Sequence, residues 1–196
     1  DNMAETNVKK EFSVDFFVSL KITQLFESGN DSLKKATLAK LRRGIGKKPG
    51  SMPDLWDITL NGLPEERGGE PTFIEWAAHI SLTLFALHQQ GKDTRTQWMN
   101  KKGELLGIAL RKLVVSEEDE YRIKRRFDQF VTANSIEEVA HYLRGLIQLL
   151  KAGDVPLDYA RLARDILFFQ MPDVRDTVRL QWGRDFYRYT AKKEVE

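Results

Sequence analysis

The sequence predicts an all-α protein, a compact helical bundle of roughly eight or nine helices joined by short connections. Apolar residues recur every three or four positions along nearly the whole chain, which is the spacing of helices that bury one face. No segment alternates apolar and polar residues between turn signals, so β structure should be minor. Capping residues and Gly- or Pro-rich segments separate the periodic stretches and indicate where helices begin and end.

Two helices are predicted before residue 44. The first runs from about Lys9 to Glu27, and its apolar side chains occur on several sides, which is typical of a helix enclosed by neighbours. The second is capped by Asp31 or Ser32 and stops at Gly44, because Gly commonly ends a helix. In the second helix the predicted inward face carries Leu33, Thr37 and Leu41.

A non-helical region and a long apolar helix follow. Residues 44–53, GIGKKPGSMP, contain too much Gly and Pro for a helix, and a short turn or helix is expected around Leu55 and Trp56. Residues 64–71, PEERGGEP, should form a polar loop. Thr72 and Glu75 then match the capping box that opens a helix, and the apolar residues behind them make this helix the predicted centre of the core.

Five further helices are predicted in the rest of the chain. One surrounds residues 105–115, and Ser135 with Glu138 matches a second capping box. We interpret residues 1–115, with the basic helix and the Gly/Pro loop, and residues 116–196 as two packed helical sub-bundles. The other predicted helix boundaries are Ser116, Gly153, Pro156 and Pro172.

Composition excludes several classes of protein. The chain has 196 residues, enough for one sizeable core or two smaller ones. It has no cysteine, which excludes a disulfide framework, a thiolate zinc site and a cysteine nucleophile, and which suits a reducing, cytoplasmic location. No apolar run approaches the ~20 residues that a membrane-spanning helix needs, so no membrane association is expected.

We find no pattern that predicts catalysis, a metal or a cofactor. The segment GIGKKPGS lacks the spacing of a phosphate-binding loop and follows a helix rather than a strand. His79 and His88 lie nine residues apart on an apolar helix, which is not a metal-ligand spacing. The acidic run Glu117–Glu120 is explained by the preference of helix N-termini for negative charge. We therefore expect no enzymatic activity.

Basic charge is concentrated in Leu33–Lys48, LKKATLAKLRRGIGKK, although the formal net charge of the chain is only +2. Concentrated basic charge is typical of a protein that binds a phosphate backbone. An isolated arginine, by contrast, is usually a solvated charge or the partner of a nearby carboxylate. The stretch Leu33–Lys48 contains no carboxylate. Its seven cations are Lys34, Lys35, Lys40, Arg42, Arg43, Lys47 and Lys48.

Helical geometry assigns these and other cations to faces. Lys35, Arg42 and Arg43 should project away from the core, with Lys47 and Lys48 in the following loop. A polar stripe on a later helix consists of His141, Arg144, Gln148 and Lys151. Six aromatic residues can stack on bases, but their helical spacing beside leucines favours the core; they are Trp56, Trp76, Trp98, Trp182, Phe186 and Tyr187.

The order of motifs resembles the CasB family, the small subunit of the type I-E CRISPR surveillance complex Cascade. The motifs are LAKLRRGIGKKPG and P-x-L-W, then GIALRKL, YRIKRRFDQFVTANSIEEVAHYLRGLIQLLK, PLDYARLARDILFF and RLQWGRDFY. The resemblance implies an all-α, non-catalytic protein that stands in several copies beside the guide RNA. It also implies that basic residues hold the target and displaced DNA strands and so stabilise the R-loop.

The resemblance predicts further basic residues that bind nucleic acid together with the basic stretch. The stretch is then interpreted as one wall of a binding groove. The resemblance matches the LRRG arginine to Arg42 or Arg43, and a basic residue before the last helix loosely to Arg175. The predicted nucleic-acid-binding residues are Lys35, Arg42, Arg43, Lys47, Lys48, Lys101, Lys102, Arg111, Arg125, Arg126, Arg144 and Arg175.

The expected partners are target and displaced DNA, guide RNA, other Cascade subunits and further copies of the chain. Two alternatives remain at this stage. One is a structural spacer whose basic surface contacts acidic faces of neighbouring proteins. The other is a regulatory nucleic-acid binder that acts alone.

Overall fold

The structure is a computed structural model that describes residues 12–191, and in this part of the chain it is all-α, as predicted. The described residues contain no β-strand, only one isolated bridge between Asn100 and Leu157. The elements are α1 (Val14–Glu27), α2 (Asp31–Arg43), a 3₁₀ turn (Pro53–Leu55), α3 (Trp56–Thr59), α4 (Phe73–Gln89), α5 (Leu106–Lys112), α6 (Glu117–Val131), α7 (Ile136–Ala152), α8 (Tyr159–Phe169) and α9 (Pro172–Ala191).

Local capping chemistry sets most helix ends where the sequence predicts them. Thr72 and Glu75 form both hydrogen bonds of the capping box, at 3.1 and 2.9 Å, and open α4. The Ser116 side chain caps α6 by accepting from the Asp119 N–H. Gly44 ends α2 and Gly153 ends α7.

The predicted starts of α1 and α2 were wrong, and the second predicted capping box is incomplete. Ser13 caps α1, so the helix begins at Val14 instead of Lys9, and residues 9–11 lie outside the described part. Asn30, rather than Asp31 or Ser32, caps α2 by accepting from the Leu33 N–H at 3.0 Å. Glu138 accepts from the Asn134 N–H, one residue before the Ser135 cap, so the second capping box is only half formed.

Helix α4 is the centre of the core, as predicted. All thirteen residues from Ala77 to Gln89 are buried, because α1, α2, α7 and α8 pack around this helix. Helix α9 packs against α5 and α8, and its Trp182 and Phe186 side chains are fully buried. One hydrophobic cluster extends from Val14 to Phe186, and the division of the chain at residue 115 stays a prediction.

The inward face of α2 differs from the predicted one. Lys34, Leu38 and Leu41 face the core, whereas Leu33 is 57% exposed. The Lys34 ammonium donates to the Phe26 carbonyl at 3.0 Å and lies over the Phe26 ring. A cation is stabilised there because carbonyls at the end of α1 lack helical partners. Lys34 is therefore a structural residue, and the basic stretch presents one cation fewer.

Close contact between α5 and α9 requires glycine at position 107. A Cβ atom there would lie 2.6 Å from both the Phe186 nitrogen and the Trp182 carbonyl oxygen, which belong to the backbone of α9. Because backbone atoms cannot turn aside as a side chain can, the two helices would have to separate.

We expect Gly107→Ala to lower the free energy of unfolding by about 1–3 kcal/mol, the usual cost of overpacking. Gly183→Ala is the matched control, because Gly183 lies within α9 and nothing is within 4 Å of the place that an alanine methyl group would take. The control should be neutral or stabilising, since alanine favours a helix. Urea unfolding measures both, and equal stability of the two variants would contradict the packing argument.

A buried histidine couples stability to pH. His88 on α4 lies with Nδ1 2.9 Å from the Tyr159 hydroxyl oxygen, and that hydroxyl contacts the Leu84 carbonyl at 3.3 Å. Burial lowers the pKa of His88 from 6.5 to about 4, and the positive charges of Lys92 and Lys151 contribute to this lowering. His88 is therefore neutral in the folded protein at pH 7.

Acidification should destabilise the fold through His88. The unfolded chain takes up a proton as the pH falls through about 6.5, whereas the folded chain resists protonation until the pH is about 4. This difference removes about 2 kcal/mol of unfolding free energy between pH 7 and pH 4.5. His88→Gln should lose correspondingly less than the parent in urea unfolding, and a loss equal to that of the parent would contradict the role of His88.

Candidate nucleic-acid interface

One side of α7 carries a polar stripe at the surface. His141, Arg144, Gln148 and Lys151 succeed one another at three- and four-residue intervals, which places them on neighbouring turns of the same face. The first three are exposed and Lys151 is half-buried. The opposite face of α7 is buried and fixes the stripe toward solvent.

Helix α6 forms one flank of the stripe. Arg126 and Gln129 face Arg144 and Gln148 across a cleft of about 490 Å³. Arg126 and Arg144 are exposed, and neither makes an ion pair with a carboxylate of the described residues. Arg122, also on α6, differs from Arg126 because it pairs with Asp119 at 3.1 Å.

The loop after α2 forms the second flank. Lys47 lines a cleft of about 220 Å³ together with Trp76, His141 and Arg144. The loop is fastened to α4, because His79 Nε2 lies 2.8 Å from the Gly44 carbonyl oxygen. Lys47 is exposed and has no ion-pair partner among the described residues.

Two more cations, Arg42 and Lys92, meet Lys151 at the C-terminal end of α4. The Arg42 guanidinium approaches the Ala86 carbonyl at 3.5 Å, and the Lys151 ammonium donates to the Gln90 side chain at 3.0 Å. Burial lowers the pKa of Lys151, and the nearby positive charges of Arg42 and Lys92 lower it further. The negative end of the α4 dipole favours them there.

These flanks form a continuous area that we call the α7 basic surface. It consists of the α7 stripe with Arg126, Lys47, Arg42 and Lys92. Lys35 extends it, because Lys35 lines a polar cleft of about 670 Å³ with Arg42, Lys92 and Arg95. Lys92 also pairs with Asp154, and Arg95 pairs with Asp31 at 2.9 Å.

Two cations of the basic stretch have carboxylate partners that are distant in sequence. Arg43 pairs with Asp54 of the 3₁₀ turn, and Lys48 pairs with Glu70 of the 64–71 loop. The stretch has no acidic residue of its own, and folding supplies these partners. Arg43 and Lys48 are therefore paired across the fold, and their role in nucleic-acid binding stays a prediction.

The remaining predicted site residues lie away from the α7 basic surface. Arg111 is buried, pairs with Glu120 at 2.9 Å and lies over the Phe186 ring, so it links α5, α6 and α9. Arg175 donates to the Phe169 carbonyl at 2.9 Å and lies over the Phe169 ring. These contacts give Arg111 and Arg175 structural roles, which the sequence does not reveal.

Three other predicted residues are accessible but separate from this surface. Lys101 pairs with Glu104 at 3.2 Å, and Lys102 is exposed beside it. Arg125 is exposed on α6 but lines none of the three clefts described above. Their binding role stays a prediction.

The structure adds residues that sequence reasoning missed as site members. His141, Gln148 and Lys151 belong to the predicted polar stripe, and their spacing was a sufficient signal to include them with Arg144. The sequence indicates Lys92 less clearly as a site residue, because its only distinguishing feature is a position just after the end of a helix. No group of three metal-ligating side chains occurs within residues 12–191, and no helix there is both long and apolar enough to span a bilayer.

Comparison with known proteins identifies the family. A profile described as CRISPR-associated protein Cse2 matches residues 37–187. The chain belongs to the Cse2 family, also called CasB. This confirms the resemblance on which the sequence-based prediction rests. No curated protein matches this Cse2-family chain in sequence.

Solved CasB structures share the fold. CasB from Thermobifida fusca is 34% identical, with a TM-score of 0.76 over 89% of this chain and 97% of that one. CasB from Thermus thermophilus is 22% identical, with a TM-score of 0.67 over 90% and 99% of the two chains. CasB from M. ruber is 24% identical, with a TM-score of 0.66 over 91% and 97%.

The crowding of cations at the end of α4 can be tested by titration. Arg42→Gln should raise the pKa of Lys151, because it removes a neighbouring positive charge. Arg43→Gln is the matched control, since Arg43 pairs with Asp54 and does not contribute to the Lys151 shift. NMR titration of the Lys151 side chain measures both pKa values, and an equal shift in the two variants would contradict the arrangement.

Proposed function

We propose that this Cse2-family protein is the non-catalytic small subunit of a type I-E Cascade complex and that it stabilises the R-loop by contacting nucleic-acid backbones. The observation that carries the proposal is the convergence of Arg126, Arg144 and Lys47, from three separate segments, on two adjoining clefts of the α7 basic surface. None of the three makes an ion pair within the described residues, so their charges are available to a partner.

The chemistry of this surface suits phosphate. Arginine stays charged when partly desolvated, and its planar fork can donate to two phosphate oxygens at once. Contacts of this kind position a strand without reading its sequence. We therefore expect the target and displaced DNA strands, and guide RNA, to be bound with little sequence preference.

A few backbone contacts are enough for such a role. R-loop formation exchanges a DNA duplex for an RNA–DNA heteroduplex of about equal stability. Protein contacts to the separated strands then decide which state is favoured. Other Cascade subunits and further copies of the chain would complete the groove of which the α7 basic surface is one wall.

A structural spacer is the second candidate function, and exposed apolar residues on α1 favour it. Phe16 is 68% exposed and Leu20 is 42% exposed, and both line a cleft of about 390 Å³ on the outer side of α1. Apolar groups grouped at a surface commonly mark contacts between proteins. The two functions can coexist, because α1 and the α7 basic surface use different side chains.

Salt dependence tests the backbone contacts. The logarithm of the affinity of the full chain for single-stranded DNA should fall linearly with the logarithm of salt concentration, by about 0.7 per neutralised phosphate. Arg126→Ala and Arg144→Ala should each reduce this slope by about that amount for two unrelated sequences. Arg122→Ala is the control on the same helix, because Arg122 is paired with Asp119. A salt-independent affinity would contradict the proposal.

Assembly separates the two candidate functions. The Arg126→Ala/Arg144→Ala double variant should co-purify normally with the other Cascade subunits but bind target DNA about tenfold more weakly in a shift assay, because two charged hydrogen-bond donors are lost. Failure to co-purify would instead favour a spacer whose basic surface contacts acidic faces of neighbouring proteins. An Arg42→Ala/Arg43→Ala variant completes the comparison, and we expect its loss of DNA binding to come from Arg42, since Arg43 is already paired.

A further inference from the structure

The cleft between the loop after α2 and α7 has the form of a small binding pocket. Its volume is about 220 Å³, below the range of roughly 300–1,000 Å³ that is usual for drug-sized ligands. Ile45, Trp76, Ile80 and Ala140 give it apolar walls. The pocket therefore suits a small apolar or aromatic group rather than a whole nucleotide.

The charged residues that line the pocket indicate which chemical group is attached to the apolar or aromatic group inside it. Lys47 and Arg144 line the cleft from opposite flanks, and His141 lies beside Arg144. Glu137 is the one carboxylate among the lining residues, so the charged residues at the mouth are mainly cationic. An aromatic group attached to phosphates matches this distribution, whereas the apolar side chain of a protein neighbour would leave the cations without partners.

His79, which lines the same pocket, carries a buried polar atom without a partner among the described residues. His79 is 4% exposed and its Nε2 faces the Gly44 carbonyl at 2.8 Å, so the neutral ring carries its proton on Nε2. His79 Nδ1 is then an acceptor, and it is buried with no partner among the described residues. Burial lowers the pKa of His79 and keeps the ring neutral. Every nucleobase has N–H donors on its edge, which an aliphatic side chain lacks.

Trp76 is the tryptophan that reaches this surface. Trp98 packs between Phe26 and Phe85 at ring distances of 5.0 and 5.1 Å, and Trp182 packs against Phe130 at 4.5 Å. Trp56 donates its ring N–H to the Gly50 carbonyl and lines none of the clefts of the α7 basic surface. The assignment of Trp76 to the core alone was thus incomplete, because its half-buried ring also lines the pocket.

We propose that this pocket accepts one unstacked nucleobase of a strand bound on the α7 basic surface. The base packs against Trp76, and its flanking phosphates contact Lys47 and Arg144. This inference rests on the proposed function, because the pocket is reached from a strand that the basic surface holds. The proposed function includes only backbone contacts, and this inference adds one contact with a base. The contact does not select one base over another.

Two probes of equal length test the pocket. The full chain is titrated with single-stranded oligothymidylate and with an abasic deoxyribose-phosphate strand, which carries the same charges without bases. The oligothymidylate should bind about 5- to 150-fold more tightly, the range expected from stacking of one base on an aromatic ring. Trp76→Ala should abolish this preference and leave the affinity for the abasic strand unchanged.

Two further variants keep the test independent of folding. Ala140→Leu fills the pocket from α7 without removing a contact, and it should also abolish the preference. Trp56→Ala is the matched control, since Trp56 is 48% exposed and lines none of the three clefts, and it should keep the preference.

The outcomes distinguish this inference from the proposed function. Equal, salt-dependent binding of both probes by the parent would overturn the base pocket and leave backbone binding intact. Loss of affinity for both probes in Trp76→Ala, with the preference kept in Ala140→Leu, would also overturn it, because Trp76 would then be only structural. Failure of the parent to bind either probe would overturn both proposals.

Discussion

Helix α4 must be enclosed on every side, because thirteen consecutive residues from Ala77 to Gln89 are buried. This constraint orders the rest of the molecule. Helices α1, α2, α7 and α8 surround α4, and their outer faces become the surface of the protein. The α7 basic surface exists because α7 lies against α4 with one face and presents the opposite face to solvent, beside the loop that ends α2.

The end of α4 gives this arrangement an electrostatic consequence. Its last carbonyls carry partial negative charge, and Arg42, Lys92 and Lys151 gather around them from three segments. Such cations would repel one another strongly elsewhere on the surface. Enclosure of α4 therefore forms the core of the protein. It also places the negative end of the α4 dipole where it stabilises the three cations.

Sequence patterns predicted the fold better than the site. Periodicity and the Thr72–Glu75 capping box are local, so the helices and the central place of α4 could be recognised. Pairing across the fold is not local: Asp54 and Glu70 reach Arg43 and Lys48 from segments whose position a helical pattern does not specify. For the same reason the structural contact of Arg111 with Glu120 could not be foreseen, whereas the exposure of Arg126 and Arg144 could be inferred from helical faces.

The hydrogen bond between His79 and the Gly44 carbonyl restrains the loop after α2, which affects the entropy and the rate of ligand binding at that loop. A Gly-rich loop normally samples many conformations, and ordering it on a ligand weakens binding. Here the core holds the start of the loop, so the backbone that carries Lys47 is already ordered before a strand arrives. For the strand binding proposed above, preorganisation of this kind favours rapid capture, since no slow rearrangement of the protein has to precede contact.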